Sequence, residues 1–94
     1  MESHVNYAKW RECIEKDDIV PLHEGLFQDG LSLDEWIRRL FQCCERPHDA
    51  EKCLKYIIEW GLSHIENIPA NEIMFKSILI YASCQDSRKC LTKL

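Results

Sequence analysis

The chain has 94 residues, of which 46 % are hydrophobic, 30 % charged and 10 % aromatic. This length allows one compact core, and this composition excludes a disordered tail or a fibrous repeat, so we expect a single domain over residues 1–94. The net charge of −4 is spread along the chain without a cationic block, which argues against nucleic acid and anionic lipid as partners.

The N-terminal segment contains acidic residues and lacks the apolar stretch that directs secretion. The sequence also has no run of about 18 apolar residues that could form a membrane span. We therefore expect no contact with a membrane and a location in the cytoplasm or the nucleus. In those compartments thiols are expected rather than disulfides.

The chain has six cysteines, and Cys43, Cys44 and Cys53 together with His48 come closest to a metal-ligand cluster. Zinc sites usually contain two close ligand pairs spaced as C-x2-C or H-x3-H, and neither spacing occurs here. We therefore expect no metal and no other cofactor, and we interpret most of the cysteines as small buried hydrophobes. A redox or zinc-binding regulatory site made of these four residues is the alternative hypothesis.

Four histidines accompany the cysteines, which raises the question of nucleophilic catalysis. The sequence contains no glycine-rich phosphate loop, no H-E-x-x-H and no G-x-S-x-G motif. A domain of this size also has little room for a closed cleft. We expect that the protein is not an enzyme.

Two helices are predicted in the first part of the chain. Apolar residues from Val5 to Ile14 recur at mixed spacings of three and four, which is typical of an amphipathic helix with Trp10 in its apolar stripe. An acidic turn follows. Asp18 is expected to cap a shorter helix that has Pro21 in its first turn and that Gly30 closes.

A second pair of helices follows. Ser32-Leu33-Asp34-Glu35 is a capping box, after which Trp36 begins a broad core-facing stripe that ends before Pro47. Arg38 and Arg39 fall on the face predicted to meet water. Asp49 is expected to cap the next helix, and Gly61 to end it in a left-handed conformation.

The third pair begins after residues 62–70, which are predicted to form an extended loop leading to a cap at Asn71. The periodicity then predicts a helix over residues 73–84, a turn at Gln85-Asp86 and a second helix from Ser87 to Leu94. The chain stops in the middle of that helix's apolar pattern.

The pairs are related by an internal repeat. The motif D-x-x-K-C-L occurs in "DAEKCLKYIIEWG", with Cys53, and again in "DSRKCLTKL", with Cys90. The two copies are about 37 residues apart, and periods of this size indicate arrays of helical hairpins. We therefore predict an all-α fold of about three stacked helical hairpins, the last one truncated.

These residues give the chain a resemblance to a divergent ankyrin-repeat protein. "YASCQDSRKCLTKL" looks like the middle of an ankyrin unit with Ala82 at the close-packed alanine, "HDAEKCLKYIIEWG" looks like its second helix, and "KDDIVPLHEGLFQDG" resembles that helix in an N-terminal capping unit. The family's Thr-Pro-Leu-His tetrapeptide does not occur, and Ser77-Ile78-Leu79-Ile80 stands in its place. Other helical-hairpin stacks, and a six-helix bundle of the death-domain kind, stay open as alternatives.

The resemblance implies a non-catalytic protein-protein interaction module, an adaptor or scaffold, because stacked repeats present a binding surface without catalytic groups. Helical geometry and loop position predict the surface residues that bind a protein partner, and Trp60 is the tryptophan whose burial is least assured. The partner-binding candidates are Trp60, His64, Glu66, Asn67, Arg38, Arg39, Leu91 and Leu94.

The two leucines belong to the C-terminal edge, where a terminal repeat would normally present a polar face. The uncovered apolar residues there predict that further repeats follow in a longer protein, of which this chain is the N-terminal part, or that the isolated chain forms a homo-oligomer through this edge.

Overall fold

The computed structural model describes residues 7–27, 31–65 and 72–94. Within these ranges it contains five α-helices, one short π-helical turn over Leu22–Leu26 and no β-strand. The α-helices are α1 (Tyr7–Lys16), α2 (Leu33–Cys43), α3 (Glu51–His64), α4 (Glu72–Cys84) and α5 (Arg88–Leu91). The predicted all-α fold class is confirmed.

The helices pair in chain order, α1 with the π-helical turn, α2 with α3, and α4 with α5. Across the pairs, α2 packs against α4 and α3 packs against α5. In the second and third pairs, the first helices are thus neighbours of each other, and so are the second helices. This is the arrangement expected of successive hairpins, while the ankyrin resemblance itself stays a prediction.

All three pairs contribute to one core. Trp10 from α1 and Trp36 from α2 are 1 % and 0 % exposed, which confirms their predicted place inside. The residues packed with them are largely aliphatic or cysteine, so burial of apolar area is the main stabilising term. They include Cys13, Ile14, Leu40, Cys43, Cys44, Cys53, Leu54, Ile57, Ile78, Ala82 and Cys90.

The internal repeat of the sequence is also a repeat of backbone conformation. Asp49 and Asp86, which begin the two D-x-x-K-C-L motifs, have φ of 44° and 57°, in the left-handed region. The residues after them are alike as well, with φ and ψ of −84° and 80° at Ala50 and −85° and 77° at Ser87. Asp17, between the first two helical segments, has φ of 50°.

The prediction that Asp49 caps its own helix is wrong. Its carboxylate accepts hydrogen bonds from the backbone N–H groups of Lys89 (3.3 Å) and Cys90 (3.0 Å), at the start of α5 in the next hairpin. Asp17 does the same for α3, accepting from Lys52 and Cys53 at 3.4 and 3.0 Å. Each hairpin therefore caps the second helix of the hairpin that follows it.

Gly61 does not end a helix, contrary to prediction. It lies buried inside α3, which continues to His64 before Ile65 turns to extended backbone. A Cβ atom at position 61 would overlap Cε2 and Nε1 of Trp36, so close helix packing explains the glycine. A left-handed glycine is found instead at Gly25, whose φ of 109° bends the π-helical turn.

The capping box forms in part. Ser32 Oγ accepts from the backbone N–H of Glu35 at 3.2 Å, as predicted, but the Glu35 carboxylate turns to Tyr7 and Arg39.

Asp18 Oδ1 accepts from Val20 N–H at 3.0 Å just before the π-helical turn. α5 ends at Leu91, earlier than predicted. The predicted stop at Gly30 and cap at Asn71 lie outside the described residues.

Candidate functional site

The predicted partner-binding residues lie in three places. Arg38 and Arg39 are in α2, and Trp60 and His64 are in α3. Leu91 ends α5, and Leu94 lies beyond it. The structure joins each of the first two pairs in a surface hollow of its own, and it does not join all six. Glu66 and Asn67 lie outside the described residues.

The two arginines line a groove of about 420 Å³ between α1, α2 and α4. Arg38 and Gln42 are one helical turn apart in α2, as are Tyr7 and Arg11 in α1, so each helix brings two lining residues to one face. Glu45 follows α2, and Tyr81 comes from α4. The lining residues are Tyr7, Arg11, Arg38, Arg39, Phe41, Gln42, Glu45 and Tyr81; we call this surface the basic groove.

Arg39 was expected to face water, and this is wrong: its side chain is only 9 % exposed. Its guanidinium forms an ion pair with Glu35 across 3.7 Å and lies 5.3 Å from the centre of the Tyr7 ring. Tyr7 in turn donates its hydroxyl to Glu35 at 3.1 Å. The covering tyrosine and the salt bridge explain why a charged side chain is tolerated here.

The Arg39 Nε atom is buried, and none of the residues that the structure describes accepts a hydrogen bond from it. Leaving a buried donor unsatisfied costs about 1–3 kcal/mol, and such groups in native proteins usually have a reason. Glu35 does not satisfy this donor, since its contact with the guanidinium is through Nη2 and one of its own oxygens, Oε2, is also buried without a hydrogen bond. This donor is closed to solvent, so a ligand in the groove does not reach it while the side chains keep these positions.

One wall of the groove is aromatic. Phe41 and Tyr81 meet edge to face with their ring centres 5.2 Å apart and their planes at 81°. A tyrosine hydroxyl is protonated at neutral pH, and desolvation, followed by the charge of Glu45, raises the pKa of Tyr81 further. The groove therefore offers apolar contact beside hydrogen-bond donors.

The charge of the groove is opposite to that of the chain. Three of its lining residues are arginines and one, Glu45, is an acid, whereas the whole chain has a net charge of −4. Since Glu35 pairs with Arg39, the excess positive charge of the groove comes from Arg11 and Arg38. Arginine is suited to carboxylates and phosphates because its planar fork donates two parallel hydrogen bonds. The arrangement can bind an anionic group next to an apolar one.

Trp60 and His64 belong to a stack of rings on α3. The Trp60 ring lies between Phe27 at 4.2 Å and His64 at 4.8 Å, nearly parallel to both. His64 Nδ1 is 2.9 Å from the Trp60 carbonyl oxygen, which holds the imidazole over the indole. With both faces covered, the half-buried Trp60 offers a partner mainly its edge, in a hollow of about 220 Å³.

The cysteine and histidine cluster of the alternative hypothesis is not assembled. His48 lies near Glu45, with 3.9 Å between Nε2 and Oε1, and the Cys53 thiol faces Cys13 rather than Cys43 or Cys44. In the part of the chain that the structure describes, no group of three or more His, Cys, Asp or Glu side chains is placed to hold a metal ion.

Several groove residues escaped the sequence analysis. Tyr7 falls within the first apolar stripe and Phe41 within the second, so both were expected in the core, while Arg11 was not singled out. The helical spacing of Tyr7 and Arg11 was visible. That α1 faces α2 and α4 at this point depends on tertiary packing, which no local pattern predicts.

No protein-family model matches this chain, and no curated protein or solved structure is significantly similar to it. Among the described residues, no helix has the length and apolar character needed to cross a membrane. The function therefore has to be argued from the geometry of the surface.

Proposed function

We propose that this domain is a non-catalytic protein-binding module, an adaptor or scaffold of the cytoplasm or nucleus, and that it docks an acidic segment of a partner protein in the basic groove. The observation that supports this best is that two exposed guanidinium groups, those of Arg11 and Arg38, line the same groove as the rings of Phe41 and Tyr81. An Asp or Glu side chain of the partner accepts hydrogen bonds from these guanidinium groups.

Charge complementarity supports an anionic occupant. Arg11 and Arg38 are exposed at the groove, in reach of solvent and of a ligand, whereas Arg39 is held in place by Glu35 and Tyr7. A fixed guanidinium loses little conformational entropy on binding, and the two exposed ones can adapt to neighbouring acids. A carboxylate bound here forms charge-assisted hydrogen bonds, each worth about 1.5–3 kcal/mol.

The aromatic wall favours a polypeptide over a bare anion. Phe41 and Tyr81 are both half-buried, and Tyr7 is 49 % exposed. An apolar side chain next to the acid in the partner can pack on these rings and gain the burial term that a free ion cannot. Tyrosine and arginine are also the residue types enriched at binding hot spots.

The test uses a fluorescein-labelled peptide of mixed glutamate and phenylalanine residues and a matched peptide with every glutamate replaced by glutamine. Fluorescence anisotropy should show at least about tenfold tighter binding of the glutamate peptide, since each charge-assisted hydrogen bond exceeds the 1.4 kcal/mol of a tenfold change. Arg38→Gln and Arg11→Gln should each weaken binding about threefold to tenfold. Arg39→Lys keeps the charge but removes the fork, and it should weaken binding by a similar factor.

Lys55→Gln is the matched control, because Lys55 is an exposed cation of α3 outside the groove. It should bind as the unmodified chain does. Equal losses for Lys55→Gln and Arg38→Gln would show that only overall charge is sensed. Equal affinity for the two peptides would overturn the acidic partner, and inorganic phosphate competing more strongly than glutamate would indicate a phosphate-bearing ligand instead.

A further inference from the structure

Two pairs of buried thiols lie across the junctions between successive hairpins. Cys13 of α1 and Cys53 of α3 have their sulfur atoms 3.7 Å apart. Cys53 also lies 3.6 Å from the Cys13 carbonyl oxygen, to which it can donate. The Cys13 thiol donates to the carbonyl oxygen of Asp18 at 2.8 Å. Neither side chain contributes to the basic groove.

The second junction has a related arrangement. Cys44, directly after α2, and Cys90, in α5, are both buried, and each shifts the pKa of the other, lowering that of Cys44 and raising that of Cys90. Cys90 Sγ lies 3.4 Å from the Cys43 carbonyl oxygen, much as Cys53 Sγ lies 3.6 Å from that of Cys13. Cys53 and Cys90 occupy the same position in the two D-x-x-K-C-L motifs. The repeat thus places one cysteine pair at each junction.

We propose that Cys13–Cys53 and Cys44–Cys90 are two dithiol sites that react with a low-molecular-weight disulfide such as oxidised glutathione, each closing to a disulfide that covalently fastens one hairpin to the next. The inference is independent of what the basic groove binds.

The reaction balances in two exchange steps. The thiolate of one cysteine attacks a sulfur of oxidised glutathione, so that a mixed disulfide forms and one glutathione thiolate leaves. The second cysteine, as thiolate, then attacks the protein sulfur of the mixed disulfide and releases the other glutathione. The protein loses two protons and two electrons per pair, and the oxidised glutathione takes them up to become two glutathione thiols.

The geometry needs little adjustment. A disulfide has a sulfur–sulfur distance of about 2.05 Å, so Cys13 and Cys53 must approach by about 1.7 Å, within the range of side-chain rotation and small helix shifts. The hydrogen bond from Cys53 lowers the pKa of Cys13, and the same bond with burial raises the pKa of Cys53.

Burial makes the reaction slow rather than absent. Cys13, Cys44, Cys53 and Cys90 are each at most 1 % exposed, so glutathione reaches them only when a helix end opens briefly. α5 has only four residues and rests largely on contacts with its neighbours, which makes the Cys90 junction the more readily opened one. The Cys44–Cys90 bond should therefore form first.

The experiment uses the full chain with Cys84→Ser, which removes the exposed thiol, in buffers with different ratios of reduced to oxidised glutathione. After acid quenching and alkylation, a non-reducing peptide map should show the two proposed links and a free Cys43. The oxidised protein should melt roughly 10 °C or more above the reduced one, and reductant should reverse this.

Cys53→Ala and Cys90→Ala are matched variants, since each should abolish one link and leave the other. A link between Cys43 and Cys44, or a scrambled mixture of pairings, would overturn the proposal. The proposal would also be overturned if the native protein kept free thiols or mixed disulfides in a buffer in which the denatured chain forms disulfides. If an alanine variant fails to fold, the non-reducing peptide map of the chain with both cysteine pairs intact still tests the two proposed links.

Discussion

Trp36 occupies the space in which any residue other than glycine at position 61 would place its side chain. The indole donates from Nε1 to the Ile57 carbonyl oxygen at 2.7 Å, one helical turn before Gly61. A fully buried tryptophan is thereby fixed against the backbone of α3 by a hydrogen bond and by close packing. The contact joins the two helices of the second hairpin.

Gly61→Ala should therefore destabilise the protein. Alanine is a better helix former by about 1 kcal/mol, but displacing the indole costs about 1–3 kcal/mol in overpacking, together with strain on its hydrogen bond. We expect a net loss of about 2 kcal/mol in the free energy of unfolding, measured by urea denaturation. Ser63→Ala, at an exposed position of the same helix, is the control and should be neutral or slightly stabilising. A stable Gly61→Ala variant would contradict the contact.

A second prediction separates the cap that Asp49 provides from the strain of its left-handed backbone. Asp49→Ala removes the acceptor for two N–H groups of α5, whereas Asp86→Ala, at a similar φ, removes only an exposed contact with Arg88. Loss of a cap costs about 1 kcal/mol, so Asp49→Ala should be less stable than Asp86→Ala by roughly that amount.

Thermal and urea melts of both variants measure this difference. Asp49→Asn keeps one acceptor oxygen and tolerates the left-handed region, so it should recover most of the loss. Equal destabilisation by the two alanine variants would mean that the backbone conformation alone matters.

Thiol reactivity forms the third prediction. The structure shows six free thiols, of which Cys84 is exposed and the other five are buried, so native protein should show one fast-reacting cysteine and five slow ones. Desolvation by burial raises the pKa of Cys43 well above its ordinary value, so this thiol stays neutral and unreactive even in mildly alkaline buffer.

Titration with a chromogenic disulfide under reducing-agent-free conditions counts these classes, and Cys84→Ser should abolish the fast one. Addition of a chelator should leave the pattern unchanged. A chelator-dependent increase in reactive thiols would instead support the zinc-binding alternative.

The fourth prediction concerns the C-terminal edge. Leu94 and Leu79 are 37 % and 41 % exposed and Ile80 is 56 % exposed, so apolar surface is available on α4 and after α5. We expect concentration-dependent self-association in sedimentation experiments, reduced when Leu91 and Leu94 are replaced by glutamine. Val20→Gln, at an exposed apolar residue near the π-helical turn, is the control. A strict monomer at all concentrations would contradict the predicted homo-oligomer.

The sequence predicted what short-range periodicity determines. The positions of α1 to α4, the core tryptophans and the Ser32 cap follow from residues within one or two turns of each other. Long-range contacts account for the errors. A glycine such as Gly61 is typical of a helix end, but here it lies inside α3 and allows Trp36 to pack closely against the helix. Arg39 has the residue type of a surface position, and only the covering Tyr7 buries it.

Asp49 illustrates the same limit of prediction from local sequence. Its spacing before α3 fits a local cap, yet its acceptors are used by α5, about 40 residues away in sequence. The basic groove likewise requires three helices to meet. No pattern within α1 or α2 alone specifies that meeting, so only two of the groove's eight residues were among the predicted ones.

Each capping carboxylate comes earlier in the chain than the helix that it caps. Asp17 serves α3 and Asp49 serves α5, but the residue in the first segment that corresponds to Cys53 and Cys90 is Pro21, which has no N–H to offer. Among the described residues, carboxylates of earlier hairpins therefore cap helices of later ones, and the reverse is not seen. If the first hairpin opens, α3 loses its capping acceptor, whereas opening of α5 leaves every upstream cap intact. Unfolding should accordingly begin at the α5 end and proceed backwards along the chain.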